Sequence, residues 1–179
     1  MGQAGCNRLE GAEWGRLSNM SLRIGNGFDI HKFSDDPERV LMLGGVSFDG
    51  EPGLQGHSDA DVISHAVGEA LLGAAGLGDL GAHFPDTDDR WRGADSLQLL
   101  DEILRMLRAD GWSVVNVDCS VIAERPKLAA RREQMQQVLS DRVGAPVTIK
   151  GRRAEGIGGL GRSEGIACLA SALIESAIA

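Results

Sequence analysis

Cysteine is scarce in this chain, and long apolar runs are missing from it. Among its 179 residues the three cysteines, Cys6, Cys119 and Cys168, are widely scattered, odd in number and without metal-binding spacing. That excludes a disulfide framework and a cysteine-built metal site, and it points to reduced thiols in a cytoplasmic protein. No window approaches the roughly 20 apolar residues that a membrane-spanning helix needs. Glu10, Glu13 and Arg16 break up the N-terminus where a secretory signal would carry its apolar stretch. Net positive charge is lacking too. At −8, the chain excludes a nucleic acid or an anionic membrane as its partner unless charge is sharply segregated. There is no internal repeat and no domain linker, and only four histidines.

What is present suits one domain with a real core, since 42% of residues are hydrophobic. Residues 1–19, rich in glycine with interspersed charge, read as a disordered N-terminal extension or leader, with Met20 as a candidate natural start. Residues 20–179 then form a single domain. Charge is segregated within it. Arg125, Lys127, Arg131, Lys150, Arg152, Arg153 and Arg162 concentrate base in the second half, beside acidic stretches such as DTDD, and imply a pocket for a small anion.

Residues 21–28 read as a strand, followed by a turn at Asp29–His31, and VLMLGGVSF (40–48) as strand, bend and strand. In HSDADVISHAVGEALLGAAG, Ser58 followed three residues later by Asp61 predicts a capping-box helix start. Gly76 and Gly78 end that helix. Residues 79–95 read as a loop too long to be idle. The apolar spacing of Leu97, Leu100, Ile103, Leu104 and Leu107 predicts an amphipathic helix over 96–109, ended by Gly111. A β-branched strand over 112–124, a helix after Pro126 and a strand over 146–151 follow. GIACLASALIESAIA suits helix by its Ala and Leu content, and a buried strand by its unbroken apolar character. The alternation implies an α+β sandwich: a mixed sheet covered by helices on one face, compatible with a ferredoxin-like variant.

The candidate chemistry begins in GNGFDIHKF. On a strand, Asp29 and His31 share one face, while Phe28 and Ile30 share the other. A carboxylate and an imidazole side by side are either a hydrogen-bonded pair or two ligands of one cation. If His57 and His65 were both helical, eight residues would separate them by about 12 Å, so they hold different jobs. His65, with Asp61 one turn earlier to buttress its ring, would complete a His2Asp set with Asp29 and His31 and leave a fourth position open, the catalytic pattern for zinc. The alternative is a buried hydrogen-bond network. His57 is free to face a substrate, and His83 is read as exposed and without a role. In ERPKL, Lys127 stands at a helix beginning, where backbone N–H groups and a cation favour an anion; a solvated surface lysine is the competing reading. KGRRAEGIGGLGRSEG (150–165) combines phosphate-permissive glycines with Arg152, Arg153 and Arg162. Glu155 within it is either a salt-bridge partner or a ligand for a hard cation held with phosphate oxygens.

RIGNGFDIHKF, GLQGHSDADVISHAVGEALLGAAGLGDLGAHFPDTD, AERPKL and GLGRSEGIAC occur in one order between about Arg23 and Ile174. On these segments the chain resembles the 2-C-methyl-D-erythritol 2,4-cyclodiphosphate synthase family of the non-mevalonate isoprenoid pathway. The resemblance implies a zinc ion on Asp29, His31 and His65, one per subunit, and magnesium or manganese on Glu155 with the substrate diphosphate. Asp29, Ile30, His31, His57 and Ser58 would contact the methylerythritol phosphate end, with the loop Phe84, Pro85, Asp86, Thr87 and Asp88 closing over it. Asp79, Leu80 and Gly81 would take the ribose. Ala123, Glu124, Arg125, Pro126, Lys127, Leu128 and Ala129 would hold cytosine and the phosphates, joined by Arg152, Arg153, Ala154 and Glu155. His57 and Arg153 are the candidate catalytic side chains. The resemblance further implies a homotrimer with active sites between subunits, and an axial apolar cavity where Phe28 and Arg162 match positions associated with an isoprenoid diphosphate.

The chain departs from the family at Arg152–Ala154, where a run of threonines is common, and at Gly159, where an aromatic residue is common. Arg153 either donates to phosphate oxygens in place of a threonine hydroxyl or points away. The implied reaction is attack of the 2-phosphate of 4-diphosphocytidyl-2-C-methyl-D-erythritol 2-phosphate on its β-phosphorus, with release of CMP. A zinc-dependent phosphoesterase and a non-catalytic trimer binding isoprenoid diphosphates are the competing readings.

Overall fold

A computed structural model describes residues 20–177; the expectation of a disordered extension over 1–19 lies outside them. The first strand, β1, spans Met20–Lys32, and the last, β6, spans Gly165–Ala177. The two pair antiparallel over their whole length, from Met20 opposite Ala177 to Lys32 opposite Gly165. β6 also pairs antiparallel with β4 (Ser113–Ile122), and β4 pairs parallel with β5 (Val147–Arg152), giving a mixed sheet ordered β1-β6-β4-β5. A hairpin of β2 (Val40–Leu43) and β3 (Val46–Pro52) stands apart from this sheet. The helices are α1 (Val62–Ala75), α2 (Leu80–His83), α3 (Ser96–Ala109), α4 (Arg132–Val143) and α5 (Gly158–Gly161). Leaving aside the hairpin and the short helices α2 and α5, the order β-α-α-β-α-β-β departs from the β-α-β-β-α-β of a regular ferredoxin-like unit. Among the described residues the only parallel pair is β4–β5, which α4 connects.

Position in the sheet explains why the C-terminal segment is a strand. Ile166, Cys168, Ala170, Ala172 and Ile174 alternate inward and are buried, and β6 has a strand on either side. The run is apolar because it crosses the middle of the sheet, and its alanines leave room for a helix. β1 likewise continues through Asp29, Ile30 and His31, where a turn is expected from the sequence, because β6 pairs with it as far as Lys32.

Helix α1 lies directly against β1. A Cβ atom placed on Gly25 would lie 2.0 Å from the Ala70 carbonyl oxygen, and one on Gly27 would lie 2.0 Å from that of Ala66. Glycine on the strand and alanine on the helix bring the two backbones into direct van der Waals contact. α1 then ends where Gly76 turns left-handed, at φ 74°, and its N–H bonds to the Gly73 carbonyl.

The sheet face opposite the helices is apolar in part. Leu22, Ile24, Phe28 and Ile30 alternate along β1 with 54%, 73%, 57% and 51% of their surface exposed, and Leu169 of β6 stands opposite Phe28. No helix among the described residues is long and apolar enough to cross a membrane.

Replacing Gly27 with alanine is expected to destabilise the fold by about 3 kcal/mol or more, since the added methyl meets backbone rather than a movable side chain. Urea denaturation measures this; a loss below about 1 kcal/mol would show that α1 can step back freely.

Candidate active site

The α1–β1 contact decides where three side chains meet. Asp29 follows Gly27 by two residues on the strand, and His65 precedes Ala66 on the helix. Asp29 Oδ2 lies 2.9 Å from His31 Nε2 and 3.0 Å from His65 Nδ1, and the two nitrogens are 3.3 Å apart. Tetrahedral coordination at about 2.0–2.1 Å separates ligand atoms by roughly 3.3 Å, so these three donors already stand at the spacing that one small divalent ion requires. Among the described residues they are the one such cluster of histidine, cysteine and carboxylate groups.

The surrounding hydrogen bonds favour the ligand tautomers. His31 Nδ1 is 2.7 Å from the Gln55 carbonyl, which can only accept, so Nδ1 carries the proton and Nε2 turns its lone pair toward Asp29. The Ser96 hydroxyl donates to the Asp59 carboxylate and so accepts from His65 Nε2 at 2.9 Å, leaving Nδ1 free to ligate. Ser58 Oγ stands 3.1 Å from the same nitrogen. Burial disfavours the ionised form of Asp29, but hydrogen bonds from His31 and His65 outweigh it and hold the carboxyl well below the usual carboxylate range. Burial likewise works against charging His31, and the hydrogen bond with Asp29 overcomes it and raises its pKa. A proton bridging either ring to Asp29 would occupy the space a cation would take, so the two compete for the same lone pairs.

Two expectations about this segment are corrected. Ser58 does not cap α1, and Asp61 does not buttress His65. Asp61 is itself the N-cap: its side chain accepts from the Ile63 and Ser64 amides at 3.1 and 3.2 Å and from Ser64 Oγ at 2.8 Å. It also accepts from the Gly44 and Gly45 amides at 2.8 and 2.7 Å. A carboxylate only 1% exposed and engaged by five donors has no oxygen left for an imidazole. It ties the β2–β3 turn to the helix start. Asp59 takes the buttressing role through Ser96, and Arg39 supports the segment by donating to the Leu54 and Ser58 carbonyls.

The three donors open into a cavity of about 240 Å³, whose wall includes His57, Ser58, Leu80, Gly81, Phe84 and Asp86. Trp91 and Leu99 also line it and carry no obvious signal in the sequence. Trp91 packs edge-on against Phe84 with ring centroids 5.0 Å apart, and its buried Nε1 has no partner. The predicted loop holds structure of its own. Asp79 caps α2 through the Ala82 amide at 2.8 Å, and Asp88 begins a 3-10 turn over Asp89–Trp91 and pairs with Arg90 at 2.5 Å. Pro85 accepts from the Asp88 amide, and Thr87 is exposed. His83 is half-buried rather than exposed, with Nε2 2.8 Å from the Leu77 carbonyl.

A second cavity, of about 370 Å³, shares no lining residue with the first. Ala123, Glu124, Pro126, Lys127, Leu128, Ala129, Arg132, Arg152 and Arg153 form most of its wall. Lys127 precedes only a short 3-10 turn (Leu128–Ala130), with α4 beginning at Arg132. Arg153 lies on Glu124, Nε and Nη2 standing 2.8 and 2.6 Å from Oε2. That contact holds Glu124 below the ordinary carboxylate range, helped by the Gly156 and Ala154 amides. Several expected residues line neither cavity. Arg125 turns to Glu51 at 3.4 Å and over Phe33, and Arg162 pairs with Glu164 at 2.7 Å. Ile30 lines a separate cavity with Gly159 and Leu160. Ala154 and Glu155 lie outside both walls; Glu155 is exposed and left-handed at φ 52°. The expected site residues therefore form two groups within one chain, a metal-ligand group and a basic group.

Residues 22–175 match the model of the YgbB family. The chain is 51% identical over 160 residues to 2-C-methyl-D-erythritol 2,4-cyclodiphosphate synthase of Rubrobacter xylanophilus, covering 87% of this chain and 96% of that protein. It is 53% identical over 161 residues to the bifunctional enzyme IspD/IspF of Anaeromyxobacter dehalogenans, covering 88% of this chain but 41% of that longer protein. The solved structure of IspF from Plasmodium falciparum in complex with CDP is 31% identical and superposes with a TM-score of 0.75, covering 87% of this chain and 97% of that one. The chain belongs to the YgbB family.

If Ser96 orients His65, Ser96→Ala should weaken divalent-ion binding by about tenfold to a hundredfold. Titration with Co2+, followed by its visible absorption, reads this directly; an unchanged affinity would leave Ser96 with no part in the metal site.

Proposed function

We propose that this member of the YgbB family converts 4-diphosphocytidyl-2-C-methyl-D-erythritol 2-phosphate into 2-C-methyl-D-erythritol 2,4-cyclodiphosphate and CMP. It is then a phosphorus–oxygen lyase working in the cytoplasm. The observation that carries this reading is the convergence of Asp29 Oδ2, His31 Nε2 and His65 Nδ1 at the mouth of a cavity beside His57 and Ser58. Similarity to proteins named for this activity supports it over nearly the whole described chain.

The substrate carries its own nucleophile, so the protein needs no activated serine or cysteine. An oxygen of the 2-phosphate forms a bond to the β-phosphorus, and the bond from that phosphorus to the bridging oxygen breaks, leaving CMP with the electron pair. The obstacle is the approach of one anion to another. Zinc on Asp29, His31 and His65, and magnesium or manganese on Glu155, supply Lewis-acid neutralisation of the diphosphate when bound. His57 and Ser58 orient the methylerythritol phosphate against that centre. Phe84 and Trp91 shield it from water. Lys127, Arg132 and Arg152 offer charge to the nucleotide phosphates from the second cavity.

The separation of the two cavities and the exposed apolar stripe on the sheet support assembly as a homotrimer, with each active site completed across a subunit boundary. An axial cavity in such a trimer is a candidate site for an isoprenoid diphosphate. Its walls would include Phe28.

Phosphorus NMR of the purified protein with the diphosphocytidyl substrate should show CMP and a cyclic diphosphate, and both should vanish with a chelator. Inorganic phosphate as the product would instead indicate a phosphoesterase. His65→Ala should lose bound zinc and turnover together, and full turnover without zinc would overturn the metal assignment. Sedimentation at micromolar concentration should give three chains; an active monomer would contradict a shared site.

A further inference from the structure

The basic cavity contains one acid, and the acid is the least exposed charge in it. Glu124 has 9% of its side chain exposed, and its Oε1 is buried with no hydrogen-bond partner among the described residues. Arg153, 70% exposed, closes over it and addresses Oε2 through both Nε and Nη2. The guanidinium fork is thus spent on a carboxylate, not turned into the cavity. Glu124, Pro126 and Lys127 also line an adjoining cavity of about 500 Å³ that Asp49 and Glu51 help to form, so these three residues separate the two.

An anionic ligand entering beside an uncompensated, poorly solvated carboxylate would meet repulsion that water cannot screen. We propose that Arg153 is a positioning residue that cancels the charge of Glu124 and pins the segment before Glu155 to the β4 turn, so that the cavity accepts a nucleoside diphosphate without Arg153 itself touching phosphate. This rests on the reading of the cavity as the nucleotide site. It assigns a task to the arginine that stands where the resemblance leads one to expect a threonine. The pair follows from the β4–β5 pairing: the Ala123 amide donates to the Arg152 carbonyl at 2.9 Å, which sets the residues that follow, Glu124 and Arg153, side by side.

Rescue separates the two roles. Calorimetric titration with CDP should show Arg153→Ala binding roughly tenfold to a hundredfold more weakly than the unmodified protein, around the low end of what stranding one member of a buried charge pair costs, because Arg153 is largely exposed. Arg153→Lys should retain much of the affinity. The double variant Glu124→Gln, Arg153→Ala, which removes both charges, should recover most of it, because nothing remains to be cancelled. In turnover, Arg153→Ala should raise KM more than it lowers kcat, and the double variant should reverse that rise. If Arg153 bound phosphate directly, the double variant would remain as weak as Arg153→Ala, and the proposal would be overturned. Thermal melting of each variant identifies any that fail to fold. Should the unmodified protein bind no CDP, it is the nucleotide reading of the cavity that fails.

Discussion

The architecture depends on how closely α1 can lie on β1. Glycines at 25 and 27 let the Ala66 and Ala70 carbonyl oxygens occupy space that any side chain would fill. The two residues next to that contact, Asp29 on one side and His65 on the other, then meet at 3.0 Å. Small residues on both elements are therefore the means by which a helical imidazole reaches a strand carboxylate. Asp61 fixes the other end of the arrangement, joining the helix start to the β2–β3 turn through five donated hydrogen bonds. With the helix anchored at its cap and pressed against the strand, His65 has little freedom left in position, and Ser96 fixes the orientation of its ring.

Charge is handled differently in the two cavities. In the first, three potential ligand atoms converge within 3.3 Å of one another. In the second, cations predominate in a protein whose net charge is −8, and one nearly buried carboxylate is offset by an arginine lying over it. The first thus presents candidate metal ligands, and the second presents a predominantly cationic wall. They occupy separate walls of one chain, and the sheet face away from the helices leaves Ile24 and Phe28 exposed.

Much of this was legible in the residues. The amphipathic spacing from Leu97 to Leu107 specified α3, the β-branched run at 113–122 specified β4, and the two-residue spacing of Asp29 and His31 put both on one face. The errors share a cause. Ser58 looked like a helix cap and Asp61 like a buttress because the local pattern allows both, and only the β2–β3 turn, whose amides occupy Asp61, decides between them. Asp59 and Ser96 are 37 residues apart, and neither carries a mark of its link to His65. Trp91 and Leu99 joined the cavity wall for the same reason: the chain between them and the ligands folds back, and no period records it.

The sequence by itself determined the alternation of strands and helices, the residue types able to hold a divalent ion, and the segregation of base toward the second half. Those properties are local, set by side-chain periodicity and chemistry. Only the tertiary structure decided that the C-terminal apolar segment is a central strand, that the ligand and basic groups occupy separate cavities, and that Arg153 faces Glu124. Each of these turns on which backbone lies next to which, and such pairing is fixed by hydrogen-bond register and packing between residues distant in the chain.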